Sequence, residues 1–281
     1  MRLGIILAME ERIRERILDI KAMGFDNIQL SFWSPSYYTE KWLEVVREAI
    51  EAASIEVTHF WAGFDPPVAW NFYDGPISVG LVPEAYRDRR IGQVLEGARF
   101  AKRLGVKYVA THLGFLPENP NDPLYTGTIV AVDLIAKQLK KEGQILLFET
   151  GQETPTTLLR MFHDLERRGT TNVGLNFDPA NFLHYGKANP VDAAEMLGPY
   201  IMGVHAKDAL YPCDGFHLGK ETDIGAGKVD FPRFIAMLKK VGYDGFITIE
   251  RELECDPPMM ENPVAQVIQN AREFLLPLLQ Q

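Results

Sequence analysis

The chain has 281 residues, 46% hydrophobic and 24% charged, which is ordinary for a globular protein with a sizeable core. Its formal net charge of −9 weighs against nucleic acid as a partner. No apolar run is long enough to span a bilayer, and Cys213 and Cys255 make no disulfide framework, so no membrane partner and a cytoplasmic setting are expected.

The first run, Met1 to Ala8, is short and is followed at once by Glu10, Glu11 and Arg12, so it reads as a strand (3–8) and not as a signal peptide. A helix over 10–23 follows and stops at Gly24; a strand over 26–32 and a helix over 39–53 come next, then a strand over 55–61. The segment 62–85 holds Pro66, Pro67, Trp70, Phe72, Tyr73, Gly75 and Pro76. It is long and aromatic for a loop and reads as a lid or a subunit contact, the latter implying a homo-oligomer. Helix 86–104 stops at Gly105, strand 106–112 leads to helix 126–142, and Gly143 closes that helix before strand 144–149. Thr154-Pro155 gives an N-cap and a first-turn proline for helix 155–168. Strand 173–178, helix 190–197, strand 200–205, helix 231–241 (opened by Asp230 and Pro232), strand 244–250 and helix 263–279 complete the chain.

Eight strand–helix units in strict order predict one (β/α)8 TIM barrel domain over 1–281. Loop lengths agree. Helix-to-strand links are as short as Ser54 or Gly105, whereas strand-to-helix links run over 62–85, 113–125, 206–230 and 251–262. In such barrels the long strand-to-helix loops build the active face.

Four of the strands end on a polar residue at that same face: Glu149, Asp178, His205 and Glu250. A carboxylate ending a buried strand is costly unless it is paired or binds a cation. Three carboxylates and one imidazole, converging, suit one divalent ion of the manganese, magnesium, cobalt or zinc kind. His112 ends strand four and reads as a substrate contact or as a histidine satisfied by its neighbours. Gln152 could orient a substrate hydroxyl; Lys207 reads as an oxyanion contact or as an ion pair with Asp208 or Glu250. Trp33, His59 and Trp61 read as a sugar-facing wall or as aromatic packing. Gly225 and Gly227 invite a phosphate reading, but a tight turn into the helix capped by Asp230 explains them better. His163 falls on an outer helix, and His217 sits in a long loop with no assigned role.

The pieces Phe148-Glu149-Thr150, Asn176-Phe177-Asp178-Pro179-Ala180-Asn181, Val204-His205-Ala206-Lys207-Asp208, Gly225-Ala226-Gly227-Lys228-Val229-Asp230-Phe231 and Ile249-Glu250-Arg251-Glu252 together resemble the xylose isomerase-like TIM-barrel superfamily, in particular its sugar (phosphate) isomerase/epimerase branch. The resemblance implies that Glu149, Asp178, His205 and Glu250 bind one divalent ion, manganese first among the choices, and that Glu149 and Glu250 double as acid/base groups. It implies an isomerase or epimerase that moves a proton beside a carbonyl of a small sugar through an enediolate. A lyase or dehydratase on a keto-sugar, keto-inositol or 3-keto-glycoside is the alternative. The chain departs from the ketose 3-epimerases, where a substrate-contacting histidine follows the metal aspartate by three residues; Asn181 stands there, with His184 three further on. An abasic-site endonuclease of the same fold would need many more well-placed histidines than this acidic chain has.

Overall fold

The computed structural model describes residues 1–251 and 264–280. Glu252, Cys255, the rest of the long loop after Arg251 and the first residue of the expected helix 263–279 lie outside the described residues.

The strands are β1 (Arg2–Ala8), β2 (Asn27–Phe32), β3 (Glu56–Ala62), β4 (Tyr108–His112), β5 (Ile145–Glu149), β6 (Val173–Phe177), β7 (Ile201–Ala206), the two-residue β8 (Asp208–Ala209) and β9 (Glu221–Thr222), and β10 (Phe246–Ile249). Eight of them close a parallel barrel in the order β1-β10-β7-β6-β5-β4-β3-β2, while β8 and β9 pair antiparallel outside it. The helices are α1 (Ile13–Ala22), α2 (Glu40–Ala53), α3 (Gly75–Ser78), α4 (Glu84–Arg103), α5 (Pro123–Lys141), α6 (Pro155–Arg167), α7 (Pro179–His184), α8 (Pro190–Leu197), α9 (Phe231–Lys240) and α10 (Val264–Gln280). The expected (β/α)8 barrel is the observed fold.

Local chemistry sets the helix starts. Thr154 Oγ1 accepts from the Thr157 N–H at 3.3 Å, and Asp230 Oδ1 from the Arg233 N–H at 3.2 Å. In α6, Leu158, Met161, Phe162 and Leu165 are buried at three- and four-residue spacing and face the sheet. Three starts depart from the sequence expectation, α1 first, which opens at Ile13 and not at position 10. Asp122 and Pro123 are a cap and first-turn proline that open α5 three residues earlier than position 126, and Asp178 caps α7, a short helix before α8.

The main apolar core lies between strands and helices; a smaller cluster of Trp61, Ala110 and Leu147 fills the barrel interior. Tyr108, Ile145 and Met202 pack against it, and polar residues share the same interior. Gln29, His59, Asn176 and His205 are buried there and bond across the barrel.

The aromatic segment 62–85 contains α3 and is clamped to the barrel. Arg90, almost fully buried, donates to Gly80 O and Pro67 O at 2.7 Å each, and Arg87 Nε donates to Leu81 O at 2.8 Å. Leu81 N–H bonds Leu113 O at 2.7 Å, so the segment also grips the loop after β4. Gly114 in that loop has φ +96°, and a Cβ there would overlap Val79 O. Gly114→Ala is therefore expected to cost about 3 kcal/mol through a left-handed alanine and the lost close approach. A urea unfolding midpoint unchanged from wild type would contradict this.

Candidate metal centre

Each of the four polar strand ends is presented by a different strand. Glu149 is the last residue of β5, Asp178 follows β6, His205 lies in β7 and Glu250 follows β10. Because successive side chains on a strand alternate, a residue at the strand's end that faces inward reaches the barrel mouth. One ligand-type atom from each of the four lies within 4.8 Å of all the others. His205 Nδ1 stands 2.8 Å from Glu250 Oε2, 3.2 Å from Glu149 Oε1 and 3.7 Å from Asp178 Oδ2.

The donor set fits a divalent ion. Two ligands each about 2.2 Å from a cation lie at most about 4.4 Å apart, so the four atoms need only small adjustments. Asp178 divides its oxygens. Oδ1 accepts from the Ala180 and Asn181 N–H groups at 2.8 and 3.0 Å, while buried Oδ2 has no hydrogen-bond partner among the described residues. Glu250 Oε2 approaches His205 Nδ1 without hydrogen-bond alignment. A buried carboxylate oxygen left in this way is costly unless a cation meets it.

Electrostatics agree. Burial, followed by the charge of Glu250, pushes the Glu149 carboxyl up to about 7. Burial also opposes ionisation of Glu250, but Lys207 and His205 outweigh it and hold that carboxyl below its usual range. Burial would lower the His205 imidazole, yet Glu250 and Glu149 raise it well above its ordinary value. Three carboxylates thus make this point a sink for positive charge, whether a proton or a metal ion.

Partners fix the carboxylates. Trp61 Nε1 donates to Glu149 Oε2 at 3.1 Å and Asn181 Nδ2 to Glu149 Oε1 at 3.2 Å; His112 Nε2 lies 3.6 Å from Oε2. Lys207 Nζ is 3.5 Å from Glu250 Oε2. Thr150 Oγ1 accepts the Asp178 N–H at 2.8 Å and ties β5 to the start of α7.

A cavity of about 450 Å³ opens above this cluster. Glu149, Glu250, His112, Gln152, Asn181, Trp33 and Trp61, all singled out from sequence, line it and share one space. Asp178 and His205 sit beneath it in the cluster. Lys207 does not line the cavity. Its Nζ stands 3.5 Å from Glu250 Oε2, the ion pair that the sequence reading offered beside an oxyanion contact. His112 is buried among tryptophan rings, 4.7 Å from Trp61 and from Trp70 and 6.0 Å from Trp33 between centroids. Burial pushes its imidazole down to about 3, so it is neutral at physiological pH. Its Nδ1 and the Oε1 of Gln152 are buried without hydrogen-bond partners among the described residues.

His59 is not part of the wall. It lies two residues before Trp61 on the same face, hence about 6.6 Å deeper in the barrel, and its Nε2 meets Met202 O at 3.1 Å. The phosphate reading of Gly225 and Gly227 also fails, because both N–H groups donate to Asp208 Oδ2 at 2.9 Å. His163 lines a shallow surface groove on α6, and exposed His217 pairs with Asp214. Sequence reasoning missed Trp70, Arg16 and Arg251, which line the cavity from a loop, from α1 and from the residue after Glu250. It also missed Gln29 and Asn176, which meet His205 from below. The only signal was a polar residue at an inward strand position: Asn176 in an otherwise apolar β6, and Gln29 alternating with apolar residues in β2.

A sequence profile described as xylose isomerase-like TIM barrel matches residues 17–278. The chain belongs to that family. Another xylose isomerase-like barrel, the xylose isomerase domain protein from Planctomyces limnophilus, superposes with a TM-score of 0.87 at 29% identity, over 99% of this chain and 96% of that one. A D-tagatose 3-epimerase-like protein aligns with a TM-score of 0.75 at 19% identity, covering 100% and 99%. A probable 3-DHS dehydratase from Bacillus anthracis aligns with a TM-score of 0.66 at 16% identity, covering 97% and 98%. At these last two identities the likeness is one of fold. An uncharacterized protein of Methanocaldococcus jannaschii is 35% identical over 102 residues, 35% of this chain and 31% of that protein, so the match spans less than a third of the curated relative. Among the described residues, no helix is long and apolar enough to cross a membrane.

Proposed function

We propose that this chain is a divalent-metal-dependent sugar isomerase or epimerase that moves a proton beside a carbonyl, with Glu149 and Glu250 as its acid/base pair. The reading is carried by four converging donors, with the partnerless Asp178 Oδ2 among them, at the floor of a tryptophan-walled cavity. Glu149, Asp178, His205 and Glu250 would hold the ion, manganese first and magnesium, cobalt or zinc as alternatives. When bound, it would polarise the substrate carbonyl and offset negative charge arising on that oxygen.

The chain's own groups do the rest. Glu149 and Glu250 reach the cavity from strands three places apart in the ring, so they flank a bound sugar from different sides. One takes the proton from carbon and the other returns it, to the same carbon or its neighbour. Trp61 and Asn181 hold both oxygens of Glu149 in place, and Lys207 keeps Glu250 anionic. His112 Nδ1 and Gln152 Oε1 offer one nitrogen and one oxygen to substrate hydroxyls. Trp33 and Trp70 pack against the apolar edge of the ring and keep water away from the reacting carbon.

In deuterated buffer, manganese-loaded protein is expected to place deuterium on the carbon beside the carbonyl of a keto-sugar, read by proton NMR. Asp178→Ala should retain no ion after desalting, read by elemental analysis, and should exchange nothing. Release of water or an aglycone in step with exchange would replace isomerisation by elimination. An ion held by Asp178→Ala as in wild type would sink the ligand assignment.

A further inference from the structure

The His205 imidazole has two working ends. Nδ1 faces Glu149, Asp178 and Glu250. Nε2 points down into the barrel, where Gln29 Oε1 lies 2.9 Å away and Asn176 Nδ2 lies 2.8 Å away. A neutral imidazole carries one N–H, and it can bind a cation through Nδ1 only if that hydrogen sits on Nε2. Asn176 Nδ2 is a donor where it stands and cannot receive that hydrogen, so in that tautomer the Asn176 amide must turn its oxygen toward Nε2 or move off it. Gln29 Oε1 can.

Gln29 is fully buried in β2, which the ring order separates from β7 by β1 and β10, so its side chain crosses the barrel to reach His205. Its amide nitrogen is buried with no hydrogen-bond partner among the described residues. A methionine would fill the same space without stranding a polar group, which costs stability. Space filling therefore does not account for glutamine here; its oxygen does.

We propose that Gln29 is a positioning residue of the metal centre: by accepting the Nε2–H of His205 it fixes the tautomer whose Nδ1 lone pair faces the ion. This rests on the metal-centre reading above. Outer partners of metal-bound histidines act in this way, and their loss weakens metal affinity about 10- to 100-fold.

The test compares wild type, Gln29→Met and Gln29→Glu after chelation and desalting, with Mn2+ affinity read from the electron paramagnetic resonance signal of the free ion. Gln29→Met is expected to raise the dissociation constant by at least about tenfold. Gln29→Glu adds a buried carboxyl but keeps an acceptor for the Nε2–H, as the carboxylate partners of many metal-bound histidines do, so it is expected to stay within about threefold of wild type. Thermal unfolding with chelator present checks that both variants fold. In zinc-loaded wild type, long-range proton–nitrogen NMR on labelled histidine should show the hydrogen on Nε2 of His205. Wild-type affinity in Gln29→Met, equal losses in both variants, or a hydrogen on Nδ1 in the loaded protein would each overturn the proposal. Failure of the metal-centre reading looks different: wild type itself would retain no Mn2+.

Discussion

Glu149→Gln and Glu250→Gln are each expected to lower turnover by about a thousandfold, the middle of the range that a positioned acid or base contributes. Glutamine keeps the shape and one oxygen of each side chain but cannot take or give the proton. At position 149 that oxygen can still accept from Trp61 or Asn181, which now hold separate Glu149 oxygens at 3.1 and 3.2 Å. The cavity wall is thus left in place and binding of the sugar should change little. Both residues also belong to the donor cluster, so each variant must be assayed at saturating Mn2+ with its ion content measured alongside. The two variants should differ in one respect. Whichever retains the group that first removes the proton will still wash deuterium into unreacted substrate, while the other will not. Turnover within about threefold of wild type in both, with the ion retained, would refute the acid/base assignment.

Much of this arrangement was legible in the chain because the signals were local and costly to ignore. Asp178 and Glu250 each close an apolar run, and a carboxylate in that place needs a reason. The Thr154-Pro155 pair and the left-handed glycines 24, 105 and 143 marked helix ends correctly. Asp122-Pro123 carried the same signal as Thr154-Pro155, and the sequence reading spent it on a loop.

What stayed hidden depends on closure of the ring. In Asn27–Phe32 the polar residues Asn27, Gln29 and Ser31 alternate with apolar ones, the pattern of a strand with one face in water, so Gln29 looks incidental until β2 and β7 are seen to share one interior. His59 and Trp61 share a face, but only the depth of the barrel separates the buried histidine from the cavity wall. Lys207 was ambiguous for a different reason. A lysine's long stem lets its charge reach several acids, and only three dimensions pick Glu250 over Asp208.

Asp208 has another task, and its loss should be among the most damaging outside the donor cluster. Its carboxylate is fully buried and accepts four backbone N–H groups: Ala209 at 2.9 Å and Val229 at 3.0 Å on Oδ1, and Gly225 and Gly227 at 2.9 Å each on Oδ2. A Cβ at position 227 would overlap the carboxylate, so the glycine is there to let the backbone come close. Hydrogen bonds to a charged acceptor are worth about 1.5–3 kcal/mol each, but the loop at Gly225 is exposed and water would recover part of the loss. Asp208→Ala is therefore expected to cost about 4 kcal/mol, below the simple sum. The damage should spread toward the cavity, because Arg251, the residue after Glu250, is anchored on this loop. It donates to Thr222 O and pairs with Glu221 at 2.7 Å and Asp223 at 3.0 Å. Denaturant unfolding measures the total, and amide hydrogen exchange at Gly225, Gly227 and Val229 locates it. Faster exchange at those three amides at small global cost would mean that the loop melts alone. Exchange there unchanged from wild type would show that Asp208 does not hold the loop.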